Sequence, residues 1–118
     1  MRMIVLLAAL LASTSAFAVD LTEPLLDQKG QPIHETADKS SGVVTLGEVI
    51  MIALATPEAN AKDPIRAAKR GRLSILVGGA TSMDFSADQV GMIKAGMDGF
   101  PPVWSARVLE AIDPETLK

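Results

Sequence analysis

The chain has 118 residues, of which 48% are apolar and 21% charged, a composition that suits one globular domain and argues against wholesale disorder. It contains no cysteine, which excludes a disulfide framework, a thiolate zinc site and a cysteine nucleophile. A formal net charge of −3, one histidine and no tyrosine disfavour a nucleic-acid module built on a basic field and leave few groups for acid–base chemistry.

Residues 1–18, MRMIVLLAALLASTSAFA, read as a signal peptide. Arg2 supplies the positive end and Met3 to Ala12 the apolar run. Ala16-Phe17-Ala18 places small residues where a signal peptidase cleaves. The run is too short for a spanning helix, so no stable membrane anchor is expected after cleavage. Export to the periplasm or beyond follows, with processing near Ala18. The remaining chain carries 10 basic and 14 acidic side chains, a net charge of −4.

Residues 19–44 read as an N-terminal hairpin and polar linker. Leu25-Leu26, Asp27-Gln28-Lys29-Gly30 and Gln31-Pro32-Ile33 predict strand, tight turn, strand, with Gly30 supplying a positive φ and Asp27 bonding the backbone after it. Pro24 and Pro32 confine both arms to edges. His34 to Gly42 is polar and predicts a mobile linker.

Residues 45–118 read as a helical domain. Thr45 with Glu48 forms a capping-box pattern ahead of the run Val49-Ile50-Met51-Ile52-Ala53-Leu54, which is apolar nearly all round and predicts a buried or partner-covered helix ending at Thr56-Pro57. Asp63-Pro64 starts a second helix, over about Ile65 to Val77, stopped by Gly78-Gly79. Ile65, Ala68, Arg72, Ile75 and Leu76 give it a partly apolar stripe. Thr81 to Phe85 predicts a short extended mate for the hairpin. Ser86 with Gln89 is a second capping box, for a helix from Ala87 to about Asp98 with Val90, Ile93 and Met97 on one face and Gly99 as its cap. A last helix is expected over about Pro102 to Ile112. The fold class is therefore mainly α with a small β element: about four short helices plus an N-terminal β-hairpin.

Candidate sites are few. His34, Glu35 and Asp38 form the one histidine–carboxylate cluster, but a metal needs three or four rigid ligands and these lie in a polar loop, so a solvated loop histidine is the better reading. Asp84 and Asp88 flank Ser86; the macrodipole at a helix start explains both. No nucleophile elbow accompanies any serine. Gly78-Gly79 matches no phosphate-binding motif. No catalytic, metal or cofactor-binding residue is assigned.

Two surfaces could serve a partner. Lys62, Arg66, Lys69, Arg70 and Arg72 are half of the basic residues after the leader, and they give the second helix a basic face. Phe100-Pro101-Pro102-Val103-Trp104 offers a tryptophan beside two prolines, either a docking anchor or the centre of an aromatic-poor core.

The order of LTEPLLDQKGQPI, TLGEVIMIAL, a basic helix, FSADQVGMIK and FPPVW resembles a class of small phage- or prophage-encoded proteins of unassigned role, over about residues 20–112. The resemblance implies a binding or interference role and carries no catalytic residues. The leader departs from the cytosolic members and argues against a virion-assembly role. Together these readings predict a small exported, non-catalytic protein acting by protein–protein interaction, with Arg66, Lys69, Arg70, Arg72, Phe100 and Trp104 as its candidate surface, an unknown protein as its partner, no cofactor and no nucleic acid. The alternative is a minor structural or assembly component that self-associates through the apolar helix. A third reading is a small hydrolase.

Overall fold

A computed structural model describes residues 18–37, 41–59 and 61–118. The predicted leader up to Phe17 lies outside the described residues, as does Asp38 of the histidine–carboxylate cluster. The described chain is mainly α with a small β element. In order it contains strand β1 (Val19–Asp20), helix α1 (Leu46–Ala55), helix α2 (Pro64–Gly78), strand β2 (Ser82–Met83), helix α3 (Ala87–Ala95), helix α4 (Pro102–Ile112) and a 3-10 turn (Pro114–Leu117).

The turn at Asp27–Gly30 forms as the residues require. Asp27 Oδ1 accepts from the backbone N–H groups of Lys29 and Gln31, both at 2.9 Å. Gly30 has φ 77°, a conformation that costs glycine no Cβ clash. Leu26 and Pro32 then bridge antiparallel. Both ends of the expected linker are held by backbone pairing: His34 bridges Val43 antiparallel, and the Glu35 N–H donates to the Gly42 carbonyl at 2.8 Å. A ring of three backbone bonds joins the arms: Leu25 N–H to Val44 O, Val44 N–H to Ile33 O, and Ile33 N–H to Leu25 O, at 2.8 to 2.9 Å. Inward-facing Leu25 and Val44 satisfy their polar backbone in this ring while burying their side chains.

The short extended segment does exist, but its mate is different. β2 pairs antiparallel with β1, Val19 opposite Met83 and Asp20 opposite Ser82, and not with the hairpin arms. Those arms are already paired with one another, whereas β1 has a free edge.

α1 is the centre of the molecule. Leu46, Val49, Ile50, Ala53 and Leu54 recur at spacings of three and four and are buried against α2, α3 and α4. The Thr45 hydroxyl caps the helix by accepting from the Glu48 N–H. Only one flank stays open, where Ile52 is 51% exposed. Val19, Leu21, Leu25 and Val44 join the same core as Leu73, Val77, Met92, Ile93 and Val108, so the N-terminal segment and the helices share a single apolar interior.

α3 ends at Ala95, short of the expected Asp98. Gly96, not Gly99, is the cap. The reason is packing: a Cβ at Gly96 would lie 1.8 Å from the Ala53 carbonyl oxygen, so α3 stops where its backbone touches the end of α1. Met97 is consequently buried from the loop and not from the helix. Ser86 and Gln89 make both bonds of the expected capping box. Among the described residues no helix is long and apolar enough to cross a membrane.

Candidate functional site

The candidate surface is the outward face of α2, and its membership differs from the expected one. α2 starts as its residues require: the Asp63 side chain accepts from the Ile65 N–H at 2.9 Å and Pro64 occupies the first turn. Its rotation is the surprise. Arg70, Leu73 and Val77 face α1 and are buried, while Ile65, Ala68, Lys69, Arg72, Ile75 and Leu76 face solvent. The partly apolar stripe of Ile65, Ala68, Arg72, Ile75 and Leu76 is thus exposed. Ile65 is 67%, Ile75 77% and Leu76 53% exposed. Tertiary packing set the rotation. The Ser74 hydroxyl donates to the Met51 carbonyl at 3.1 Å, and Gly78 lies against the Met51 thioether, which brings the opposite side of α2 onto α1.

The basic residues therefore separate into three kinds. Arg66 is neutralised locally. Its Nε donates to both Glu58 carboxylate oxygens at 3.0 and 2.9 Å and its Nη2 lies 2.9 Å from Oε1. These hydrogen bonds hold the Glu58 carboxyl below its ordinary value and raise Arg66. Arg70 is not part of any exposed basic face. It is 3% exposed, and its Nη2 donates to the Ala53 carbonyl at 2.8 Å, in the last turn of α1. α1 has no basic residue of its own there, so Arg70 supplies from the neighbouring helix the cation that a helix C-terminus favours. Its Nε is buried with no hydrogen-bond partner among the described residues. Lys69 and Arg72 are the third kind: exposed, with no ion pair to a described carboxylate.

Phe100 and Trp104 are half-buried and pack against the core. Their rings meet edge to face at 6.3 Å and 80°. Trp104 also walls an open groove of about 450 Å³ with Pro32, Ile33, His34 and Pro101. These two aromatics mainly hold α4 to the body.

The other candidates disperse. His34 Nδ1 lies 3.1 Å from the Ser41 carbonyl, which ties the ring to the segment its own backbone pairs with. Among the described residues no three histidines or carboxylates converge on a metal-sized site. Asp88 sits in the first turn of α3, where the helix dipole favours it. Asp84 is exposed in the segment before Ser86.

One important residue escaped the sequence reading. Arg107 of α4 donates from Nε to the Leu26 carbonyl at 3.2 Å and from Nη2 to the Asp27 carbonyl at 3.0 Å, fastening the first hairpin to the last helix, while Nη1 pairs with Glu110. The partners are about 80 positions away in sequence, so no local pattern signals it.

No protein-family model matches the chain, and neither the curated proteins nor the solved structures contain a match.

Proposed function

We propose that this is a small exported, non-catalytic protein of prophage type that works by protein–protein interaction through the outward face of α2. The observation that carries the reading is the orientation of α2. Three large aliphatic side chains, Ile65, Ile75 and Leu76, stand in water beside two cations, Lys69 and Arg72, that pair with no described carboxylate. Single exposed aliphatics are ordinary, but three of them on one helix face, with Ala68 between, suit a docking surface. Each aliphatic covered by a partner contributes about 1 kcal/mol or more of burial, less the cost of association. The leader supports export, and the ordered resemblance from LTEPLLDQKGQPI to FPPVW supports the prophage origin.

The surface residues of the proposal are Ile65, Lys69, Arg72, Ile75 and Leu76. Self-association through α1 is not favoured, because α1 spends Val49, Ile50, Ala53 and Leu54 inside its own chain. The test is affinity capture from the exported fraction of the host. The wild-type protein retains a specific partner, and Ile75→Asp with Leu76→Asp loses it while keeping the same circular dichroism. Equal retention by both, or none by either, would remove this face from the account.

A further inference from the structure

Among the described residues, the first buried side chain directly follows the expected cleavage point. Ala18 is exposed, whereas Val19 is 6% and Leu21 3% exposed. Val19 pairs with Met83 in the β1–β2 ladder, and the Leu21 N–H donates to the Thr81 carbonyl at 2.9 Å. The turn after β1 is fixed as well. Asp20 Oδ1 accepts from the Thr22 N–H at 3.0 Å and from the Thr22 hydroxyl at 2.6 Å.

The same few residues complete α1. The first N–H groups of a helix have no partner within it. Here the Leu46 N–H donates to the Glu23 carbonyl at 2.8 Å and the Gly47 N–H to the Leu21 carbonyl at 2.9 Å. Gly47 permits the approach, because a Cβ there would lie 2.9 Å from the Leu21 carbonyl oxygen. Residues 19–23 therefore cap the central helix, and Val19 and Leu21 belong to its core. Freeing them uncaps α1 and returns two aliphatic side chains to water.

A peptidase that cuts after Ala18 needs the chain on both sides of the bond extended and accessible. A folded chain offers that form only while it is locally open. With Val19 packed, the bond to be cut adjoins the core and has no slack to enter a cleft. We infer that cleavage after Ala18 precedes the docking of β1: the leader comes off a chain that has not yet folded, and closure of β1 onto β2 and α1 then seals the new terminus. A chain that folds first keeps its leader. This rests on the export reading in the proposed function and adds the order of processing and folding.

The test incubates full-length precursors in detergent with purified signal peptidase and follows leader loss by intact mass. The wild-type precursor is folded beforehand, as checked by circular dichroism. Ile50→Asp places a charge at a fully buried core position and keeps the chain open. A third precursor carries a flexible Ser-Gly-Ser-Gly-Ser-Gly insert between Ala18 and Val19, which gives the bond slack and leaves the fold alone. Ile50→Asp and the insert are each expected to lose the leader at least about tenfold faster than the folded wild type, the scale of re-exposing one buried aliphatic side chain. The insert placed in Ile50→Asp is expected to change nothing, which separates slack from an altered cleavage sequence. A folded wild type cut as fast as the insert overturns the inference, as does an insert that speeds the open chain equally; export then stands and the inference falls alone. If no precursor loses the leader, the export reading falls and the inference with it.

Discussion

Arg70 and Lys69 are adjacent cations with opposite fates, and their substitutions separate the two. Arg70→Ala removes a charged donor from the end of α1 and leaves the Ala53 carbonyl buried without its partner. We expect a loss of about 2 to 3 kcal/mol in urea unfolding, the range for a hydrogen bond involving a charged group. Lys69→Ala, on the exposed side, changes stability by about 0.5 kcal/mol or less. Equal effects would mean that α2 is rotated differently. Glycines divide in the same way. Gly96→Ala forces the α3 end off the Ala53 carbonyl and is expected to cost about 3 kcal/mol. Gly71→Ala, in the open middle of α2 with nothing nearby to strike, raises stability by about 1 kcal/mol, read as a higher Tm.

At the scale of elements, starts and stops were readable from the sequence because they are local. Thr45, Asp63 and Ser86 act as N-caps through their own side-chain oxygens, and Thr56-Pro57 and Gly79 close α1 and α2 where the residues demand it. The faces of α2 were not readable. Its aliphatics at 65, 75 and 76 and those at 73 and 77 both form plausible stripes, and only the Ser74 and Gly78 contacts with Met51 decide between them. The site inherited that error, since Arg70 joined a basic face that it does not belong to. The end of α3 was hidden for the same reason, because Gly96 is set by a contact with α1. Element junctions also carry an acid dependence. Lys94 of α3 bonds Asp113 after α4, and this hydrogen bond, followed by that from Thr116, holds the Asp113 carboxyl below its ordinary value. The folded form therefore binds a proton less readily than the unfolded chain. The contribution is complete above the ordinary carboxylate range, near pH 4, and is lost as pH falls through the lower folded value. Urea midpoints at pH 7 and pH 3 are expected to differ, and Asp113→Asn to narrow the difference. An unchanged gap would show that Lys94 does not hold the carboxylate in solution.

At the scale of the whole molecule, one aliphatic core is tied at its two ends. The N-terminal segment closes through the Leu25, Ile33 and Val44 ring, and Arg107 fastens its first hairpin to α4. This arrangement leaves α1 central and turns one side of α2 to solvent. The absence of cysteine allows that side to be read directly with single introduced thiols. The most direct measurement is the maleimide labelling rate of Ile75→Cys, followed by mass spectrometry with and without the exported fraction of the host. Rapid labelling of the free protein and marked slowing in the fraction are expected. A buried, slow-reacting thiol in the free protein, or a rate that the fraction leaves unchanged, would contradict it.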